Sequence, residues 1–196
     1  VINELADKDI IHGVSDTEFN PDGTVTRAEF LKMAMDSFGI VGHAYRDGEC
    51  LDATNDDWYC YYLQGALDKN IIPKKMIENC NVTKVTKTLA EATDDKEAVT
   101  TDVNVYTGKF DGDKPITREE MAAIAVCCKN YVCKDEVGFL FKSPIIKDEA
   151  EIDEKYVNYV ILAYVFRYIN GMEDGRFAPK ENLTRAQAAV VMNNLK

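Results

Sequence analysis

The chain has 196 residues, 46% of them hydrophobic and 29% charged, with 10 tyrosines and 8 phenylalanines, which excludes a disordered tail and suits a folded domain with a sizeable core. Its formal net charge of −11 argues against nucleic acid and against adsorption to an anionic membrane surface, since both rest on clustered Lys and Arg. The longest apolar runs, Val160 to Phe166 and Ala122 to Cys128, fall far short of the roughly 20 residues that cross a bilayer, so no membrane insertion is expected.

No signal peptide opens the sequence, which reads as a mature or trimmed product or as a protein that is not exported. The first predicted element is a short helical remnant, Ile2 to Lys8. It leads into Ile10-Ile11-His12-Gly13 and a loop closing on Phe19-Asn20-Pro21. Thr26-Arg27-Ala28-Glu29 then has the Thr-x-x-Glu pattern of a capping box, in which hydroxyl and carboxylate each accept a backbone amide. The following apolar positions Phe30, Met33, Ala34 and Ser37 keep helical spacing, and Gly39 closes the helix. A linker near 40–49 precedes a second helix, Trp58 to Leu67. The stretch from Asn81 to Phe110 contains two β-branched runs, Val82-Thr83-Lys84-Val85-Thr86 and Val103-Asn104-Val105-Tyr106, and predicts a small hairpin or an irregular excursion. Thr117-Arg118-Glu119-Glu120 starts another helix, with Met121, Ile124, Ala125 and Cys128 on its stripe. After a linker near 132–144, Tyr156 to Phe166 predicts a helix. Asn170-Gly171, Asp174 and Phe177-Ala178-Pro179 form the next loop, and Thr184-Arg185-Ala186-Gln187 starts the last helix.

The last segment repeats the first without a gap, and a third copy lies between them around the insert. Each copy reads as helix, loop, helix, and no such pair could bury its apolar face alone. The predicted fold is therefore mainly α: three helix-loop-helix repeats packed as a pseudo-threefold spindle, with a small insertion in the middle one. The repeats span 1–39, with its opening segment missing, then 50–131 with the insert at about 81–110, and 145–196.

These residues resemble the S-layer homology (SLH) repeat, in its Ile-Ile-x-Gly turn, its Asp-x-x-Phe-x-Pro loop and its Thr-Arg-Ala-Glu helix start. The Asp52…Trp58 and Asp148…Tyr156 openings are similar to the aspartate and tryptophan near that repeat's start. Repeat two departs from the pattern: Lys74 stands at the turn glycine and the Phe-x-Pro loop is lost. The resemblance implies an exported bacterial surface protein, held non-covalently on the cell wall or S-layer as a monomeric pseudo-trimer. It implies secondary cell-wall polysaccharide as the partner, often with a terminal pyruvate ketal, bound in grooves between repeats with the motif arginine as a contact.

The residues support that chemistry in their own right. Arg27, Arg118 and Arg185 each occupy a first helical position, where the helix dipole disfavours a cation by a few tenths to about 1 kcal/mol. A helix start presents free amides, and a guanidinium beside them adds a bidentate fork for a carboxylate. The alternative is that each arginine pairs with an acid of a neighbouring repeat. Gly13 and Gly171 permit close backbone approach at the turn or serve as positive-φ helix stops. Trp58 reads as a sugar-stacking face or as a core anchor between repeats, the latter favoured. Asp16 and Asp174 are expected to order their loops through bonds to backbone.

Other classes fit less well. Glu18, Asn20, Asp22, Gly23, Val25 and Glu29 approach the EF-hand spacing of a dockerin-like calcium module. Position one is Glu, Pro21 interrupts the run, and the other two copies lose the ligands. A protein–protein interaction module without glycan binding is the other alternative. No catalytic motif stands out; adjacent acids such as Asp56-Asp57 and Glu119-Glu120 say nothing of spacing across a sugar bond, so no enzyme and no cofactor are expected. The six cysteines (50, 60, 80, 127, 128, 133) form no pair of zinc knuckles and read as buried thiols or disulfides.

Overall fold

Each of the three Thr-x-x-Glu/Gln signals starts a helix in the computed structural model, which describes residues 2–8, 10–15, 18–42, 50–54, 56–90, 97–133 and 145–195. The elements in chain order are α1 (Ile2–Asp7), α2 (Arg27–Ser37), α3 (Cys60–Asp68), β1 (Glu78–Ala90), β2 (Val99–Lys109), α4 (Arg118–Cys133), α5 (Val157–Val165) and α6 (Arg185–Asn194), with single 3-10 turns at Lys74–Met76 and Glu149–Glu151. Thr26 and Thr184 close full capping boxes with Glu29 and Gln187. Thr117 and Glu120 exchange the same pair of bonds, at 3.1 and 3.4 Å. Gly39 ends α2 with φ 63°, the left-handed conformation that favours glycine.

The expectation of a mainly α fold is overturned. The described chain is mixed, 40% helical and 18% strand. The cause is the insert, whose β-branched runs extend into one antiparallel ribbon of 13- and 11-residue strands rather than a small hairpin. Val82 faces Tyr106 and Val85 faces Val103 in its register. Only Val103 and Tyr106 of β2 are buried, and the Tyr106 hydroxyl donates to Asp68 at 2.9 Å, so the ribbon is fastened to α3 along β2. Elsewhere its cross-strand contacts are polar, among them Lys84–Asp102 at 2.8 Å.

The three loops ahead of α2, α4 and α6 are linked in a closed cycle. Val25 N–H donates to Leu183 O (3.0 Å), Leu183 N–H to Ile116 O (3.0 Å), and Ile116 N–H to Val25 O (2.9 Å). All three side chains are buried. The core around them includes Phe30, Phe110, Tyr156 and Phe177. No described helix is long and apolar enough to cross a membrane.

All five described cysteines are free thiols. Burial pushes Cys50 up to about 12 and holds Cys128 well above the ordinary thiol range. Both stay protonated, and so unreactive, at mildly alkaline pH. Iodoacetamide at pH 8 is therefore expected to label the half-buried Cys80 in the folded protein, leaving Cys50 and Cys128 for denaturant. Mass spectrometry of the labelled peptides reads this out, and early labelling of Cys128 would contradict the packing of α4.

Candidate functional site

The first amides of each helix are not free, contrary to expectation. Arg27 and Ala28 N–H donate to Lys114 and Gly112 carbonyls, both at 2.9 Å. Arg118 and Glu119 N–H donate to Glu181 (3.0 Å) and Pro179 (3.1 Å), and Arg185 and Ala186 N–H to Gly23 (2.8 Å) and Pro21 (3.0 Å). Each loop thus plugs the next helix start around the cycle, while the Thr hydroxyl takes the third amide. Satisfied amides cannot cradle an anion, which leaves the guanidinium groups.

These three groups differ. Arg185 stacks on the Phe19 ring (4.9 Å to its centroid), donates from Nε to Phe19 O (2.9 Å) and bonds from Nη2 to His12 O. Arg118 repeats the arrangement on Phe177, with Nε to Phe177 O (2.8 Å) and Nη2 to Asn170 O (3.1 Å). Among the described residues neither pairs directly with a carboxylate. Burial lowers the Arg118 pKa, against the raising influence of Glu181 and Asp148, as befits a cation held mostly by carbonyl dipoles. Arg27 instead donates from Nη1 to Phe110 O (2.6 Å) and turns Nε (3.1 Å) and Nη2 onto the Glu120 carboxylate. Burial works against its charge, but Glu120, with Tyr156 and Asp111 beside it, raises its pKa on balance. The alternative of a protein carboxylate partner therefore describes Arg27 alone.

Two grooves accompany the other arginines. The Arg185 groove, about 230 Å³, is lined by His12, Gly13, Phe19, Lys32 and Trp58. The Arg118 groove, about 270 Å³, is lined by Asn170, Gly171, Met172, Gln187 and Val190. Trp58 is 52% exposed and meets Tyr59 edge-on at 5.6 Å, so it is not the core anchor favoured from sequence. Tyr59, the next residue, is the buried one. A Cβ on Gly13 would lie 2.3 Å from Ser15 O, and one on Gly171 2.9 Å from Arg176 O. Both glycines let the loop fold back on itself, and neither has positive φ. Positive φ falls instead on Asn20, Asp111 and Ala178, the equivalent position of each loop.

Two aspartates carry more of the loop architecture than sequence reasoning assigned them. Asp148 is buried and accepts from Phe177 and Ala178 N–H, both at 2.7 Å. Asp52 does the same for Phe110 (2.7 Å) and Asp111 (2.8 Å). Their places opposite Trp58 and Tyr156 in the repeat were the available signal. Asp174 accepts from Arg176 N–H at 3.0 Å, the backbone bond expected of it, whereas Asp16 lies outside the described residues.

Among the described residues, Glu18, Asp22 and Glu29 do not gather into a metal-ligand group. Glu29, the last ligand of the EF-hand spacing, gives its carboxylate to its own helix cap (Thr26 N–H, 2.8 Å). The adjacent acids are also committed: Glu119 to Lys180 (2.6 Å) and Asp153 N–H (3.0 Å), Asp57 to Thr54 N–H (2.8 Å), and Glu120 to Arg27.

A cyclic helix-and-loop module with arginine-bearing grooves is thus the class of structure that the chain adopts. The S-layer homology domain family model matches residues 1–31 and 145–189. The whole chain is 30% identical over 198 residues to an amylopullulanase of Thermoanaerobacterium thermosulfurigenes, covering 9% of that protein. It is 30% identical over 201 residues to the exoglucanase XynX of Acetivibrio thermocellus, covering 15%, and 28% identical over 194 residues to an endoglucanase of Bacillus sp. (strain KSM-635), covering 17%. The chain carries S-layer homology sequence over those two segments, and it spans under a fifth of the length of these relatives. S-layer homology sequence in surface enzymes supports cell-wall anchoring in general and a place at the cell wall or cell surface.

Proposed function

We propose that the chain anchors a surface protein by holding acidic sugars of the secondary cell-wall polysaccharide, such as terminal pyruvate ketals, in the Arg185 and Arg118 grooves. It works as a monomer whose repeats, 1–39, 50–131 and 145–196, stand in for three subunits. The observation carrying this reading is that, among the described residues, both guanidinium groups hydrogen-bond to backbone carbonyls and to no carboxylate, beside open grooves. Carbonyls orient such a cation without neutralising it, so a ligand carboxylate gains a charge-assisted bond in a partly dry site. The exposed Trp58 ring adds a face on which a sugar can stack beside Arg185. With an overall charge of −11 the module cannot steer an anionic glycan from a distance, so affinity arises locally.

Co-sedimentation with purified walls, before and after the polysaccharide is stripped, tests this. Binding should disappear with stripping. Arg185→Ala and Arg118→Ala should each weaken binding by about 10-fold or more, the worth of one charge-assisted bond; Arg185→Ala should leave the melting temperature little changed, whereas Arg118→Ala lowers it and is compared where it stays folded. Undiminished sedimentation of both single variants and their double would sink the proposal.

A further inference from the structure

The residue three positions after each helix-starting threonine is Glu29, Glu120 and Gln187 in turn, and each closes its own cap. Glu120 does something besides. It accepts Nε and Nη2 of Arg27, the two atoms that Arg118 and Arg185 give to carbonyls. The resulting fork is the bidentate geometry by which arginine takes a carboxylate. Arg27 is 7% exposed and Glu120 6%; Arg118 is as buried, at 4%, so the carboxylate partner rather than burial sets Arg27 apart. At the equivalent place, Glu29 lines the Arg185 groove without bonding to Arg185, and Gln187 carries no charge.

Resting on the acidic-sugar reading above, we propose that Glu120 is a built-in occupant of the Arg27 position, a protein carboxylate standing where a ligand carboxylate would sit. The module then presents acidic-sugar sites at Arg118 and Arg185 and withholds the third, and Glu120 is the residue that decides which arginines take ligand. A ligand carboxylate reaching Arg27 has to displace one already bound and leave Glu120 buried without its cation, which weighs heavily against it. The Tyr156 hydroxyl stands beside this pair, buried and without a hydrogen-bond partner among the described residues, and is a ready donor once the site opens.

Glu120→Gln separates charge from structure. Gln187 already makes the same cap with Thr184, at 3.1 and 3.2 Å, so glutamine at 120 keeps the helix start and removes the charge. The test is a titration of the full chain, 15N-labelled at arginine, with a methyl glycoside carrying a 4,6-linked pyruvate ketal. The Nε–H signals of the three arginines are followed by NMR. In the unaltered protein Arg118 and Arg185 should respond and Arg27 stay still; in E120Q Arg27 should join them, adding one site per chain.

A response at Arg27 in the unaltered protein overturns the inference, and that arm stands even if E120Q fails to fold. Silence of Arg27 in E120Q, while the other two respond, also overturns it and spares the acidic-sugar reading. Silence at all three in both proteins defeats that reading and the inference with it.

Discussion

Replacing Asp148 by alanine is expected to lower stability by about 3 kcal/mol, roughly 10 °C in melting temperature for a chain of this size. The residue is 6% exposed, and its carboxylate accepts two amides, Phe177 and Ala178 N–H, both at 2.7 Å. Removing it leaves two buried donors without an acceptor, in a loop whose Ala178 already holds φ at 58°. Asp52 makes the same two bonds from an exposed position, where water can replace it, so Asp52→Ala should cost only about 1 kcal/mol. Thermal and urea melts of the two variants compare them directly. Equal losses would mean that burial does not govern these loop caps.

Arg27→Ala should destabilise the protein by about 3–5 kcal/mol, far more than Arg185→Ala, because it strands Glu120 as a buried charge. The double variant R27M/E120Q should recover most of the loss, since it removes both charges while keeping the cap and much of the volume. A double-mutant cycle from urea melts gives the coupling directly. If R27A proves as mild as R185A, water reaches the Arg27–Glu120 pair and it does not seal that position. This contrast also separates settings that the shared motif conceals: one arginine pairs with a buried carboxylate, and two are held by carbonyls and a ring.

The helix starts were legible because capping is local. Thr26, Thr117 and Thr184 each find their partner three residues on, and the apolar stripe follows at once. The partners of the guanidinium groups were not legible. Glu120 lies 93 positions from Arg27, and Phe19 O lies 166 from Arg185; no short-range pattern encodes such pairings. The free amides expected at the helix starts failed for the same reason, since carbonyls from the neighbouring loop fill them. The ribbon was underestimated because most of its side chains are exposed, so polar residues fall on both faces and the alternation is weak. Trp58 misled by its size, when the ring that packs inward is its neighbour Tyr59.

The cycle through Val25, Ile116 and Leu183 behaves like a three-stone arch. Each link is donor to one neighbour and acceptor to the other, so there is no end from which it can unzip. Taking away any one stone orphans an amide on one side and a carbonyl on the other. Such an arch is assembled all at once or not at all, with its members far apart along the chain, which favours slow, highly cooperative folding. An intermediate holding two of the three loops has no closed ring to rest on, so partial assembly gains little from these bonds.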